Sequence, residues 1–376
     1  MAGVPHSSLE LDPLSSRAEL EVGIRAVCRD LLLGWKDLAD DAIEITTITG
    51  GISNALYKAT PTVDGDLGPV LCRVYGLNTD HFIERKKEVA IMQIVNKHGF
   101  GTEVLGTFAT GRLEAFLPQK CLEPEQLKDP QISAAIARAM ARFHAVPGPG
   151  PKTPSTPFGR IHEWLDMASG FTWDDPQKRE GFEAFDLSEL RRQVEEVEAL
   201  CAAVGGPIVF GHNDLLAGNV MASEAFMQRA KRGERPDPDS DVRASAESDL
   251  TFIDFEYADW TPRGFDWGNH FNEFAGFDGN YNNYPTPAEA AVFVRAYMAA
   301  ERDCEESAVP DADVDRAVIE ADLFALASHQ YWGAWCFLQA QWSKLDFDYI
   351  EYARVRWGES ARRHKAVVEA AWRAFL

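Results

Sequence analysis

The sequence predicts an α+β chain of two lobes, a small β-rich one followed by a larger, mainly helical one. Three observations carry this. Runs of strand length rich in β-branched residues crowd the stretch before Pro118; helical periods dominate after it; and strands gathered first with helices after them segregate the two element types instead of alternating them. The lobes divide as 1–117 and 118–376, with the seam near Phe116 to Lys120.

The first lobe opens on a helix over Ala18–Leu33, with Leu20, Ile24, Val27 and Leu31 on one side. Strands follow at Ala42–Thr49 and Ile52–Ala59, punctuated by Gly50-Gly51, and a third at Val70–Tyr75. Asp80–Lys97 has the spacing of an amphipathic helix. Val104–Phe108 and Arg112–Phe116 form a hairpin around Thr110-Gly111. In the second lobe, Gln131–Ala145 and Leu187–Ala203 are helices, and Pro147–Pro157 is loop. Ile208–Phe210, Asn219–Met221 and Leu250–Ile253 are short apolar strands. From Pro287 to Phe375 the chain is helical. Ser223–Ser248, polar and charged with two prolines, is expected to be a surface insertion.

The 376 residues carry 37 Lys and Arg against 59 Asp and Glu, a net charge of −22. Such a surface repels nucleic-acid backbones and anionic lipid, so neither is expected as a partner. It suits a cationic substrate, although net charge alone also serves solubility. No apolar run reaches bilayer length, and residues 1–16 lack the basic-then-apolar order of a secretory leader. None of the six cysteines forms a CxxC pair, which argues against a disulfide framework or zinc site and for a cytoplasmic location.

The central motif is His212-Asn213-Asp214-Leu215-Leu216-Ala217-Gly218-Asn219, set between two strands. A carboxylate with an Asn five residues later is the spacing of a kinase catalytic loop. Asp214 can accept the proton of an attacking hydroxyl. Asn219 can offer Mg²⁺ a neutral oxygen. Asp254, at the strand end in Phe252-Ile253-Asp254-Phe255-Glu256, supplies a carboxylate to the same ion, which is hard and prefers few such ligands plus phosphate and water. Taken singly, the first motif also reads as an Asx-rich turn and the second as a strand-end cap. Upstream, Gly50-Gly51-Ile52-Ser53-Asn54 offers backbone N–H groups to phosphates through Gly51, Ser53 and Asn54. Arg73 occupies a place suited to the α- and β-phosphates, and Glu88 can orient it; a surface ion pair is the alternative.

These stretches resemble the choline/ethanolamine kinase family from about Ile48 to Trp357. The resemblance is carried by GGISNALYK, VLCRVYG, GRLEAFLP, HNDLLAGNV, FIDFEYA and RGFDWGNHFNEFAGF. It implies a protein-kinase-like fold and ATP- and Mg²⁺-dependent phosphorylation of an amino alcohol, the first step of the CDP-ethanolamine route to phosphatidylethanolamine. It implies Asp214 as base, Asn219 and Asp254 as metal ligands, and Glu114 to Leu117 as a hinge strand holding adenine. Glu273 is its acidic candidate for the amine. Tyr257, Trp332, Trp335, Phe347, Tyr349 and Tyr352 supply aromatic faces for a cation, residues that by type alone also read as core. His212 is expected to tie the loop backbone, and His270 to orient a carboxylate or fill a polar gap.

A primary ammonium carries three donors and needs acceptors, whereas a quaternary one depends on aromatic walls. The run Asn272-Glu273-Phe274-Ala275-Gly276 resembles ethanolamine kinases, and Asp278 stands where choline kinases tend to have Tyr. Ethanolamine is therefore the expected substrate, with choline or both as the alternative. An aminoglycoside-type phosphotransferase and an inactive binding module of the same fold are more distant ones. The expected partners are ATP and the amino alcohol, with a homodimer left open.

Overall fold

A capping box starts the first helix. The Ser16 hydroxyl accepts the Glu19 N–H, and the Glu19 carboxylate accepts that of Ser16, so α1 runs over Arg17–Leu31. The computed structural model describes residues 4–48, 54–63, 65–76, 85–154, 157–234, 249–343 and 345–376. The chain divides into two compact units, the first ending at Pro118 and the second starting at Gln119.

The first unit is built on a six-stranded sheet of order β1-β5-β6-β4-β3-β2. Its strands are β1 (His6–Ser7), β2 (Ile43–Ile48), β3 (Asn54–Pro61), β4 (Val70–Tyr75), β5 (Val104–Phe108) and β6 (Gly111–Ala115). All pairings are antiparallel except β1 with β5. Leu20, Ile24 and Val27 of α1 bury against Cys72, Val74 and Leu113 of the sheet, the stripe expected from their spacing. Helix α2 (Arg85–Lys97) covers the end of the expected 80–97 helix that lies within the described residues.

The second unit is mostly helical. Its helices are α3 (Pro130–His144), α4 (Phe158–Ala168), α5 (Pro176–Glu183), α6 (Leu187–Val204), α7 (Glu224–Lys231), α8 (Arg263–Asn272), α9 (Pro287–Arg302), α10 (Asp311–Trp342) and α11 (Tyr349–Phe375). Helix α10 is buried on nearly every side because α4, α6, α8, α9 and α11 pack around it. Gly268 permits the α8 contact: a Cβ there would lie 2.4 Å from the backbone nitrogen of Ala325. Among the described residues no helix is long and apolar enough to cross a membrane.

Short strands thread between these helices. β8 (Ile208–Gly211) pairs with β11 (Asp259–Pro262), and β10 (Leu250–Phe252), β9 (Val220–Ala222) and β7 (Lys120–Cys121) form a second small sheet. The expected insertion at 223–248 begins with a helix. Ser223 caps α7, whose Phe226 and Ala230 are buried, so this part is a packed helix; residues 235–248 lie outside the described residues.

Candidate active site

The loop from His212 to Asn219 leaves β8 through a backbone that few residues adopt. Asn213 has φ 65°, a left-handed conformation that costs most L-residues about 1–2 kcal/mol and Asn, one of the few that visit it, less. The compensation comes from Asp266 on α8. Its Oδ2 accepts the His212 N–H at 2.7 Å and its Oδ1 the Asn213 N–H at 2.8 Å. His144 of α3 lies with Nε2 2.9 Å from the same Oδ2; with Nε2–H donating, Nδ1 accepts from the Tyr297 hydroxyl at 2.7 Å. Burial alone would raise the Asp266 pKa, but the hydrogen bonds it accepts from the His144 ring and the His212 N–H outweigh it and hold the group below the ordinary carboxylate value. Gly211 makes the approach possible, since a Cβ there would meet Thr261 Cγ2 at 2.4 Å.

The far side of the loop is fastened too. The Asn213 amide donates to the Tyr257 carbonyl at 3.0 Å. The His212 ring donates from Nε2 to the Ile253 carbonyl at 3.0 Å, and its burial keeps the imidazole neutral. The His270 ring donates from Nδ1 to the Leu215 carbonyl at 2.8 Å, and burial lowers its pKa to about 4. His270 thus holds a backbone carbonyl and not a carboxylate.

Asp214 is held at the centre of this frame. The Asn219 side-chain amide donates to its carbonyl at 2.8 Å and to its Oδ2 at 3.1 Å. With its nitrogen so engaged, Asn219 turns its carboxamide oxygen away from Asp214. The Asn219 carbonyl accepts the Ile253 N–H at 3.0 Å, tying the loop to the chain just before Asp254. Asp254 also has a left-handed backbone, φ 67°. Burial raises the Asp214 pKa well above the ordinary carboxylate range, and the charges of Glu273, Asp254 and Glu256 raise it further. The sequence reading missed Glu256, whose carboxylate lies within 4.8 Å of that of Asp254; its signal was a second acid two residues on in FIDFEYA.

The donors suit Mg²⁺. A carboxamide oxygen and carboxylates are hard ligands, few in number, on residues tied together by the Ile253 hydrogen bond.

The aromatic candidates form one continuous edge-to-face chain. Ring centroids are 5.2 Å apart for Tyr257 and Trp332, 5.4 Å for Trp332 and Trp335, 5.8 Å for Trp335 and Tyr349, 4.8 Å for Tyr349 and Phe347, and 5.6 Å for Phe347 and Tyr352. Trp335 Nε1 donates to the Tyr257 hydroxyl at 2.8 Å. Tyr257 and Trp332 are buried, whereas Phe347 is 41% exposed, so the chain runs from core to surface. Glu273 is buried and its Oε1 accepts from Arg356 Nη1 at 3.2 Å. Asp278 is exposed, on the turn next to Phe277, whose ring centroid lies 6.4 Å from that of Tyr352. A cavity of about 830 Å³ opens beside Phe347 and Tyr349; Asp214, Asn219, Asp254 and Glu273 do not line it.

Three candidates of the first unit, Arg73, Glu88 and Glu114, belong to a buried ion cluster. The Arg73 Nε lies 3.0 Å from Glu114 Oε1 and the Arg112 Nε 2.8 Å from the same oxygen, while Thr102 Oγ1 donates to Glu114 Oε2 at 2.5 Å. Glu88 makes its contacts with Arg112 at 2.9 Å and Arg85 at 3.1 Å, and the charge of Arg73 acts on it through space. Burial works against the Glu114 carboxylate, but Arg112, Arg73 and Thr102 outweigh it and bring its pKa down to about 2. The Glu114 side chain is therefore committed to ion pairing, and its backbone lies in the sheet opposite Leu71 and Val104. Of the expected hinge stretch, Phe116 and Leu117 lie beyond the last ladder pair. Arg112, which the sequence reading also missed, is 1% exposed and joins the two glutamates. Asn54 begins β3 and is buried; Gly51 and Ser53 lie outside the described residues.

Comparison with known proteins agrees with this picture. Residues 45–360 match the choline/ethanolamine kinase family model. The chain is 34% identical over 357 residues to a "probable ethanolamine kinase" of Arabidopsis thaliana, covering 95% of this chain and 89% of that one. It is 31% identical over 351 residues to a rat choline/ethanolamine kinase, covering 88% and 82% of the two. The solved structure of a Plasmodium vivax ethanolamine kinase superimposes with a TM-score of 0.77 at 24% identity, covering 95% and 93%. The fold is thus protein-kinase-like, and the protein is an ATP-using phosphotransferase with an alcohol acceptor. The chain belongs to the choline/ethanolamine kinase family.

Proposed function

We propose that the chain phosphorylates the hydroxyl of ethanolamine, with Mg²⁺ held by Asn219 and Asp254 and Asp214 as the base. The observation that carries this reading is the Asp214–Asn219 hydrogen bond in a loop fastened by Asp266, which ties the proton acceptor to a neutral oxygen donor. Asp214 orients the hydroxyl and takes its proton as the bond to phosphorus forms. Asn219 keeps the Asp214 carboxylate aimed. Bound at Asn219 and Asp254, the ion would neutralise charge on the nucleotide phosphates. In the first unit, Arg73 is the residue proposed to meet the nucleotide phosphates. Glu273 supplies the acceptor that a primary ammonium needs, beside the exposed end of the aromatic chain. The protein is proposed to work in the cytoplasm.

The test is ADP release at fixed ATP and Mg²⁺ with ethanolamine, choline and kanamycin. Ethanolamine should give the highest kcat/KM; a higher value for choline reassigns the substrate. Asp214→Ala should lower kcat by about 10²-fold or more, and full activity in that variant removes Asp214 from the chemistry.

A further inference from the structure

One buried guanidinium touches the acid, one aromatic residue and the support of another. Arg356 lies on α11 one turn after Tyr352, with its side chain 1% exposed. Its Nη1 donates to Glu273 Oε1 at 3.2 Å and to the Tyr352 hydroxyl at 3.4 Å. Its Nη2 donates to Ser328 Oγ at 3.1 Å and to the Ser328 carbonyl at 3.4 Å. Ser328 Oγ in turn donates to Asn269 Oδ1 at 2.8 Å, the oxygen that accepts Trp332 Nε1 at 2.7 Å. The fork thus fixes Glu273 relative to Tyr352 directly and to Trp332 through two side chains.

Glu273 is short of solvent but not sealed: its side chain keeps 10% exposure. A carboxylate pinned through Oε1 presents its other oxygen in a set direction. A primary ammonium donates hydrogen bonds and rewards that direction, whereas a quaternary ammonium has no N–H and is held by charge and aromatic faces. Resting on the ethanolamine reading above, we propose that Arg356 is a positioning residue for substrate selectivity: it orients Glu273 toward N–H donors and so favours primary amines over quaternary ones. Only a planar fork spans these acceptors; a lysine ammonium keeps the charge and loses the geometry.

The experiment measures steady-state kinetics of Arg356→Lys and Ser328→Ala with ethanolamine and with choline, the latter as competitive inhibitor where its turnover is slow. Arg356→Lys should raise the ethanolamine KM about tenfold or more, the size of one lost charge-assisted hydrogen bond. The ATP KM should hold, and the choline constant should move far less. Ser328→Ala should shift the ethanolamine-to-choline ratio in the same direction by a smaller factor. It decides the question alone where the lysine variant does not fold. An unchanged ratio, or equal losses for both amines, overturns the proposal. A parent protein that does not phosphorylate ethanolamine sinks the substrate reading instead.

Discussion

Replacing Asp266 with Asn changes almost no volume and should still disable the protein. The carboxylate is fully buried and receives three donors: the His212 and Asn213 N–H groups and His144 Nε2. Asn keeps one acceptor oxygen. Placed at Oδ1, that oxygen still serves Asn213, but the new NH₂ then faces the two donors now held by Oδ2. Each buried donor left unmatched costs about 1–3 kcal/mol, so Asp266→Asn should lose roughly 2–6 kcal/mol. That is a large share of the ~5–15 kcal/mol by which folded domains are stable. The loop should also relax, because the same bonds hold Asn213 in its left-handed conformation. A shift of about 1 Å in Asp214 would lower kcat by about 10²-fold. Urea unfolding gives the first quantity and ADP release at saturating ATP the second. An unfolding midpoint and kcat both matching the parent would refute the claim that these bonds hold the loop.

Three further outcomes are expected. Gly268→Ala should destabilise the protein by about 1–3 kcal/mol in urea unfolding, because the added methyl meets backbone and not a movable side chain; a neutral result would show that α8 can retreat from α10. The Glu114 carboxyl titrates near 2 in the folded protein against 4.5 ordinarily, so its stabilisation is complete above pH 4.5 and is lost as pH falls toward 2; urea midpoints should fall with pH across that window, and less steeply in Glu114→Gln. Asp278→Tyr should leave stability within about 0.5 kcal/mol, since the residue is exposed; it should raise choline kcat/KM relative to ethanolamine, and an unmoved ratio would take the position out of amine recognition.

What could be read from the sequence follows from how local each signal is. The stripe of Leu20, Ile24 and Val27 and the Thr110-Gly111 turn are decided within a few residues, and α1 and the β5–β6 hairpin are found where expected. The spacing of Asp214 and Asn219 is equally local, because one side chain bonds the other across five residues. Asp266 and Arg112 carried no such mark. The His212 partner of Asp266 lies more than 50 residues away; Arg112 has Glu114 two residues on, but its other partner, Glu88, sits on a separate helix, and only folding completes either set. The side-chain partners of Glu114 were hidden for a related reason: its strand was recognisable, but not that β4 and β5 would flank it and that Arg73 and Arg112 would take its side chain. Helices α4 and α5 escaped notice behind Pro- and Gly-rich segments, where turn signals mask short helical periods.

The short strand at the start of the described chain has a consequence for handling the protein. Its parallel pairing places His6 beside Thr107 and Ser7 beside Phe108, with Pro5 and Leu9 accepting the N–H groups of Thr107 and Ala109. Leu11 seals the end by exchanging hydrogen bonds with the Thr110 hydroxyl. Trimming these residues would uncover a row of backbone donors along the rim of the sheet, ready to recruit a strand from another molecule. A shortened version should therefore self-associate while its catalytic loop stays intact, and a purification tag is better carried at the other terminus.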